Sequence, residues 1–127
     1  MIRLATIALG LWIVALATAC AASTADPTAP PSFGPNTIGI WADDLRFSTD
    51  ELSAPAGVDF RIVFENREAP PHNVSIYRDS SLEEAVLVEE PFGGHRTVTY
   101  EVPALEPGSY FFRCDVHPDM SGTLTVT

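Results

Sequence analysis

Three side chains with an affinity for soft metal ions, Cys114, His117 and Met120, stand at intervals of three in the segment YFFRCDVHPDMSG, Tyr110 to Gly122. A strand cannot aim three such residues at one point, because its alternate side chains leave on opposite faces, whereas a loop between two strands can. Cys114 shares parity with Tyr110 and Phe112, which turns its sulfur toward the core side as the loop begins. A fourth donor is His72 in the segment PPHNVSI, in register with the apolar Val74 and Ile76. Two imidazoles, one thiolate and one thioether make a His2Cys set with a weak axial methionine, the combination that suits copper in electron-transfer sites. Taken singly, each residue has a plainer reading: a buried cysteine is a small hydrophobe, a methionine fills core gaps, and a histidine is a satisfied polar residue. The joint pattern carries the metal reading.

The elements that must hold these donors are strands. Period-two alternation runs through Val58, Phe60, Ile62 and Phe64, with Asp59, Arg61 and Glu65 on the other face, and recurs at Val98/Tyr100/Val102, Tyr110/Phe112/Cys114 and Leu124/Val126. Turn signals separate the runs: Pro55-Ala56-Gly57, Glu68 to Pro71, Gly93-Gly94 and Glu106-Pro107-Gly108. Short strands at near-regular spacing predict an all-β, Greek-key β-sandwich of about seven to eight strands, antiparallel in its pairing. Thr37–Trp41 and Glu51–Ala54 are expected as further edge strands. Ser80–Ala85 is expected to be a short helix, with Ser80 as its cap and Glu83 in its first turn. Trp41, Phe60 and Phe112 are expected in the core. His95, in FGGHR, lies far in sequence from both donor segments and reads as an exposed turn residue.

The segments PHNV, Pro71 to Val74, and CDVHPDMSG, Cys114 to Gly122, resemble those of the cupredoxins, the small type 1 blue copper proteins. The short Cys-x-x-His-x-x-Met spacing is similar to that of amicyanins. The resemblance extends over Asn36 to Thr127, including the strand entry GSYFFRC and the final GTLTVT. It implies that His72 and His117 bind one copper ion through Nδ1, Cys114 through a short equatorial bond and Met120 through a long axial one. It also implies that Asn73 pins the two ligand loops together, and that Pro71, Val116 and Pro118 form an apolar rim around the edge of His117 where a redox partner docks. Members of the family usually carry Ser or Thr after the cysteine and proline just before the second histidine. Asp115 and Val116 stand there instead. The departure leaves the four ligands intact and bears on the hydrogen bonds around the centre, hence on its reduction potential.

The N-terminal region reads as export and tether. Arg3 precedes an unbroken apolar run, Leu4 to Leu16, which ends in Ala17-Thr18-Ala19 before Cys20. The run is short for a bilayer span and ends in cleavage-type residues, so residues 1–19 are expected to be a signal peptide. The position of Cys20 resembles a bacterial lipoprotein signal, in which that cysteine becomes the lipidated first residue, although leucine stands at Leu16 rather than three residues before the cysteine. Ordinary cleavage would leave Cys20 unmodified. Residues 20–35, rich in proline and poor in large apolar groups, are expected to be a semi-extended tether, lipid-anchored or free, leaving 36–127 as the folded domain. An exported protein of the cell envelope or periplasm is therefore expected.

The 127-residue chain carries 17 acidic groups against 7 basic ones, all arginine, for a formal charge of −10. Nucleic acid and anionic membrane surfaces are poor partners for such a chain; membrane contact is expected only through an N-terminal lipid. A monomer is expected, meeting a redox protein that is basic near its docking site.

Two cysteines allow at most one disulfide, and the assignment of Cys20 to export and Cys114 to a metal argues against even that. A catalytic triad, a paired-carboxylate site and a phosphate-binding loop are absent as recognisable motifs. A multicopper oxidase would need histidines beside the cysteine, where Arg113 and Asp115 stand, and a binuclear copper site would need a second nearby cysteine. The leading expectation is an extracytoplasmic one-electron carrier and not an enzyme. The alternative is a copper-binding module for storage, delivery or metal uptake.

Overall fold

A computed structural model describes residues 33–127. The expected signal peptide and Cys20, with most of the tether, lie outside the described residues. Nine strands follow in chain order: β1 (Thr37–Asp43), β2 (Arg46–Phe47), β3 (Glu51–Ala54), β4 (Phe60–Asn66), β5 (Ser75–Tyr77), β6 (Ala85–Leu87), β7 (Arg96–Val102), β8 (Gly108–Arg113) and β9 (Ser121–Val126). They form two sheets, β2-β1-β4-β7 and β3-β9-β8-β5-β6, whose inner faces meet as a sandwich. The all-β expectation is met.

Alternation explains which face is buried. In β4 the residues Phe60, Ile62 and Phe64 are buried while Arg61 faces solvent, where it pairs with Glu101 of β7. Tyr110 and Phe112 of β8 and Leu124 and Val126 of β9 close the opposite wall. Phe64 centres an aromatic cluster on the inner face of its sheet, with ring centroids 6.2 Å from Phe47, 5.5 Å from Phe92 and 6.2 Å from Tyr100. Phe47 in turn lies 5.6 Å from Phe112 of the other sheet. Fully burying side chains of this size contributes about 1.5–3 kcal/mol each before the ordering cost is counted.

Five expectations need correction. The pairing is mixed: β1 runs parallel to β4, and β3 parallel to β9. The cause is the connection, since β3 lies in the other sheet and the chain returns from it in the direction it first took. Alternation cannot reveal this, because it is the same in parallel and antiparallel strands. β1 is an inner strand, covered on its outer side by the two-residue β2.

Val58 is 40% exposed, because the strand begins only at Phe60, after the Gly57 turn. Trp41 is half-buried on the outer face of β1, its ring 4.2 Å beneath the Arg67 guanidinium, and so lies outside the core; its parity is opposite to that of the buried Ile40 and Ala42.

The expected helix at Ser80–Ala85 is a turn that leads into β6. Leu82 adopts a left-handed φ of 64°, and the Asp79 carboxylate accepts the Ser81 N–H at 2.8 Å, so local side-chain bonding displaces the helical ladder. No helix occurs among the described residues.

One close approach fixes a small residue. A side chain at Gly122 would collide with the carbonyl of Asp50 and the ring of Phe112. That carbonyl accepts the Thr123 N–H at 2.8 Å, which ties the chain before β3 against the start of β9.

Candidate metal centre

The site forms at the end of the sandwich where β4, β5, β8 and β9 hand over to loops. Asn66 ends β4 fully buried and organises the first loop. Its Nδ2 donates to the carbonyls of Pro70 and Phe92, both at 2.8 Å, and its Oδ1 accepts the Glu68 N–H at 3.0 Å. His72 is then locked in place by a two-way backbone bridge to Phe92, at 3.1 and 3.0 Å. The second loop closes on itself: Cys114 N–H donates to the Met120 carbonyl at 2.8 Å, and Met120 N–H to the His117 carbonyl at 2.9 Å. Hydrogen bonds from the Asn66 side chain and the backbone thus define the shape of both loops.

These loops bring three donor atoms together. Cys114 Sγ lies 3.7 Å from His72 Nδ1 and 3.7 Å from His117 Nδ1, and the two Nδ1 atoms are 3.2 Å apart. A point in their plane sits about 2.1 Å from all three, within the range of ordinary metal–imidazole bonds. His72 and Cys114 are fully buried, His117 is half-buried, and the two rings are 4.6 Å apart by centroid. Met120, 3% exposed, is buried at the end of the same loop. The two ring nitrogens and the sulfur, each able to offer a lone pair, share one focus, an arrangement that suits a cation. Soft sulfur with imidazole, in a blue-copper-like set, fits copper.

The tautomer of His72 follows from its other side. Glu68 Oε1 lies 2.8 Å from His72 Nε2, so Nε2 carries the proton and Nδ1 keeps a free lone pair toward the focus. Burial lowers the basicity of His72 below its ordinary value, with Glu68 pulling the other way and His117 adding to the lowering.

Around the cysteine, Asn73 is fully buried and bridges the loops: its Oδ1 accepts the Asp115 N–H at 2.9 Å, and its Nδ2 donates to Asp115 Oδ2 at 2.9 Å and to the Glu89 carbonyl at 2.7 Å. Asp115 therefore occupies the position of the expected hydroxyl and still serves Asn73. Its carboxylate also accepts from Ser75 Oγ at 2.5 Å and from Tyr77 OH at 2.9 Å. Burial raises the Asp115 pKa, but the bonds from Ser75, Asn73 and Tyr77 and the charge of Arg113 outweigh it and hold the carboxyl below its ordinary range. Tyr77 is pushed the other way, by burial first and then by its bond to Asp115.

Val116 and Pro118 are exposed beside His117 and, with Leu45, Asp119 and Met120, line a cleft of about 220 Å³. Pro71 is exposed but does not line it. His95 is exposed, as expected, although its turn is not remote: Gly94, at φ 81°, donates its N–H to the Ala69 carbonyl at 3.3 Å, within the His72 loop.

Sequence reasoning missed Glu68, read there only as a turn residue, and Leu45. Leu45 sits 50% exposed at a left-handed φ of 53° after Asp44 at 52°. It also missed Ser75 and Tyr77, whose signal was present: Asn73, Ser75 and Tyr77 alternate with Val74 and Ile76 along one strand.

A β-sandwich with one His2Cys focus and a buried methionine at its loop end defines a class of single-centre metal proteins. A sequence model described as the cupredoxin-like domain matches residues 6–126, and the chain belongs to that family, whose members are typically blue copper electron carriers. Among curated proteins it is similar to plastocyanin B, chloroplastic, of Populus nigra, with 35% identity over 85 residues, 61% of this chain and 49% of that one. It is similar also to amicyanin-alpha of Methylorubrum extorquens, with 34% identity over 82 residues, 65% of each chain. The chain thus spans about half the length of the plastocyanin and somewhat under two thirds of the amicyanin. The fold is similar to that of auracyanin A, titled a "blue" copper protein, from Chloroflexus aurantiacus, with a TM-score of 0.65 and 23% identity, covering 74% of this chain and 100% of that one.

Proposed function

We propose that this chain binds one copper ion through His72 Nδ1, His117 Nδ1, Cys114 Sγ and the thioether of Met120, and serves as a one-electron carrier rather than an enzyme. The observation that carries the reading is the shared focus of the three donor atoms, 3.2–3.7 Å apart on loops closed by their own backbone hydrogen bonds. Copper bound there supplies reversible exchange between Cu(I) and Cu(II). The protein's part is to keep the donors in place in both states. Asn66 and the His72–Phe92 bridge fix one loop, Asn73 and Asp115 fix the other, and Glu68 sets the His72 tautomer.

Electrons leave by way of the half-buried His117, the donor nearest solvent. The exposed Val116, Pro118 and Leu45 beside it, with Pro71 on the neighbouring loop, offer an apolar face on which a redox protein can dock. At −10 the chain favours a partner that is basic around this face. Plastocyanin, amicyanin and a protein titled as blue copper stand among its relatives and fold neighbours, which supports the carrier reading. The apolar leader supports export, and Cys20 is the proposed acylation site; mass spectrometry of the mature protein from membranes, finding either a diacylglyceryl cysteine or an unmodified N-terminus, decides between anchor and simple cleavage.

Cyclic voltammetry of the copper-loaded protein tests the carrier against storage or delivery. A carrier gives a reversible one-electron wave that repeats over many cycles with copper retained. A delivery module loses its wave as copper leaves on reduction to an added chelator or acceptor.

A further inference from the structure

The residue after the metal-binding cysteine carries a charge. Asp115 is covalently next to Cys114, and four groups converge on its carboxylate: Asn73 Nδ2 at 2.9 Å and Ser75 Oγ at 2.5 Å on Oδ2, Tyr77 OH at 2.9 Å and Arg113 Nε at 3.5 Å on Oδ1. Asn73 and Ser75 are fully buried. Because Asn73, Ser75 and Tyr77 alternate along β5 and its approach, one face of a single strand presents all three to the loop that starts at Cys114. Asn73 Nδ2 and Arg113 Nε can only donate, one to each carboxylate oxygen, and the two hydroxyls add a donor to each, an arrangement that fits the ionised carboxylate. The hydroxyl usual at this position in the resembling family would give Asn73 a bond but would bring no charge.

We propose that Asp115 is a fixed anion that biases the copper site toward Cu(II), with Asn73, Ser75 and Tyr77 as the residues that position it. The inference rests on the copper reading above. A His2Cys-thiolate site bears one net positive charge with Cu(II) and none with Cu(I), so a nearby carboxylate stabilises the oxidised form selectively. The site is partly buried, where such an interaction is poorly screened. The Arg113 guanidinium, whose Nε lies 3.5 Å from Asp115 Oδ1 and also donates to the Cys114 carbonyl at 3.3 Å, carries the opposite charge and opposes the effect.

The test is the ratio of Cu(II) to Cu(I) affinity, measured by competition with chelators of each ion and checked by spectroelectrochemical titration. Asp115→Asn lowers that ratio about tenfold, equivalent to a rise of ~59 mV in a one-electron potential. Asp115→Ser, which keeps a partner for Asn73, moves the ratio the same way and covers the case in which the asparagine variant does not fold. Arg113→Gln raises the ratio. These opposite signs separate a charge effect from a merely structural one, which would shift the melting temperature of the copper-free variants and leave the ratio within twofold. A ratio unchanged within twofold in a folded Asp115 variant overturns the inference while leaving the copper reading intact. A wild-type protein with no thiolate-to-copper absorption overturns both.

Discussion

Glu68 Oε1 lies 2.8 Å from Nε2 of the fully buried His72, and the same oxygen accepts the Leu45 N–H at 2.9 Å. One carboxylate thus orients the His72 imidazole and anchors the strained turn at Asp44–Leu45 beside the cleft lined by Val116 and Pro118. Carboxylates in this position typically account for a factor of about 10–100 in metal affinity. Glu68→Gln is expected to weaken copper binding by about tenfold and Glu68→Ala by more, read from competition with a chelator of known affinity. An unchanged affinity in the alanine variant would show that the loop backbone alone orients His72.

Met120 stands at the end of the ligand loop, where the family resemblance assigns it a long axial bond. Met120→Leu keeps the hydrophobic volume and removes the sulfur, so copper is expected to remain bound, with its colour, and the reduction potential to rise. Potentiometry with optical detection checks both. Loss of all copper binding in the leucine variant would make the sulfur an essential ligand.

Acid should weaken the copper-free protein in two stages. Burial holds the folded-state pKa of His72 below its ordinary 6.5, so the unfolded chain takes up that proton first. Stability is then complete above about pH 6.5 and falls as the pH drops toward the lower folded value. Asp115 is likewise held below its ordinary 3.8, burial notwithstanding, because of its bonds to Ser75, Asn73 and Tyr77 and the charge of Arg113. Its contribution is present above 3.8 and is lost below, as the pH passes through the folded value. Urea midpoints measured across this range are expected to fall in both windows. His72→Gln should flatten the upper fall and Asp115→Asn the lower. A profile unaltered in both variants would place the acid sensitivity elsewhere.

Packing beneath the site admits little change. Phe64→Ala removes the ring at the centre of the aromatic cluster and is expected to cost about 3–5 kcal/mol in chemical unfolding. Gly122→Ala must displace Asp50 or Phe112 and is expected to cost about 1–3 kcal/mol. A cost below about 0.5 kcal/mol for Gly122→Ala would mean that the β3 approach yields freely.

The donors were legible in the sequence because each obeys a local rule. Cys114 has the parity of a core residue, and a seven-residue loop returns His117 and Met120 to the same end. Asn73 was legible through the family resemblance, whereas Ser75 and Tyr77 were missed although they alternate with Val74 and Ile76 along the same segment. Glu68 was not, since its approach to His72 depends on how Asn66 folds the loop between them. Leu45 could not be read either, because nothing local marks leucine for a left-handed turn. The parallel pairing of β1 with β4 is a property of the connection through the other sheet, and the false helix at Ser80–Ala85 came from a cap signal that Asp79 satisfies as a turn. What local pattern determines was readable. What depends on contacts between distant segments was not.

The central claim is that the sulfur of Cys114 binds copper together with His72 and His117. Visible absorption of the protein titrated with Cu(II) tests it most directly, alongside Cys114→Ser. The wild type is expected to develop an intense thiolate-to-copper band that saturates at one equivalent, and the serine variant to show none. A colourless wild type, or a serine variant that keeps the band, would contradict the account.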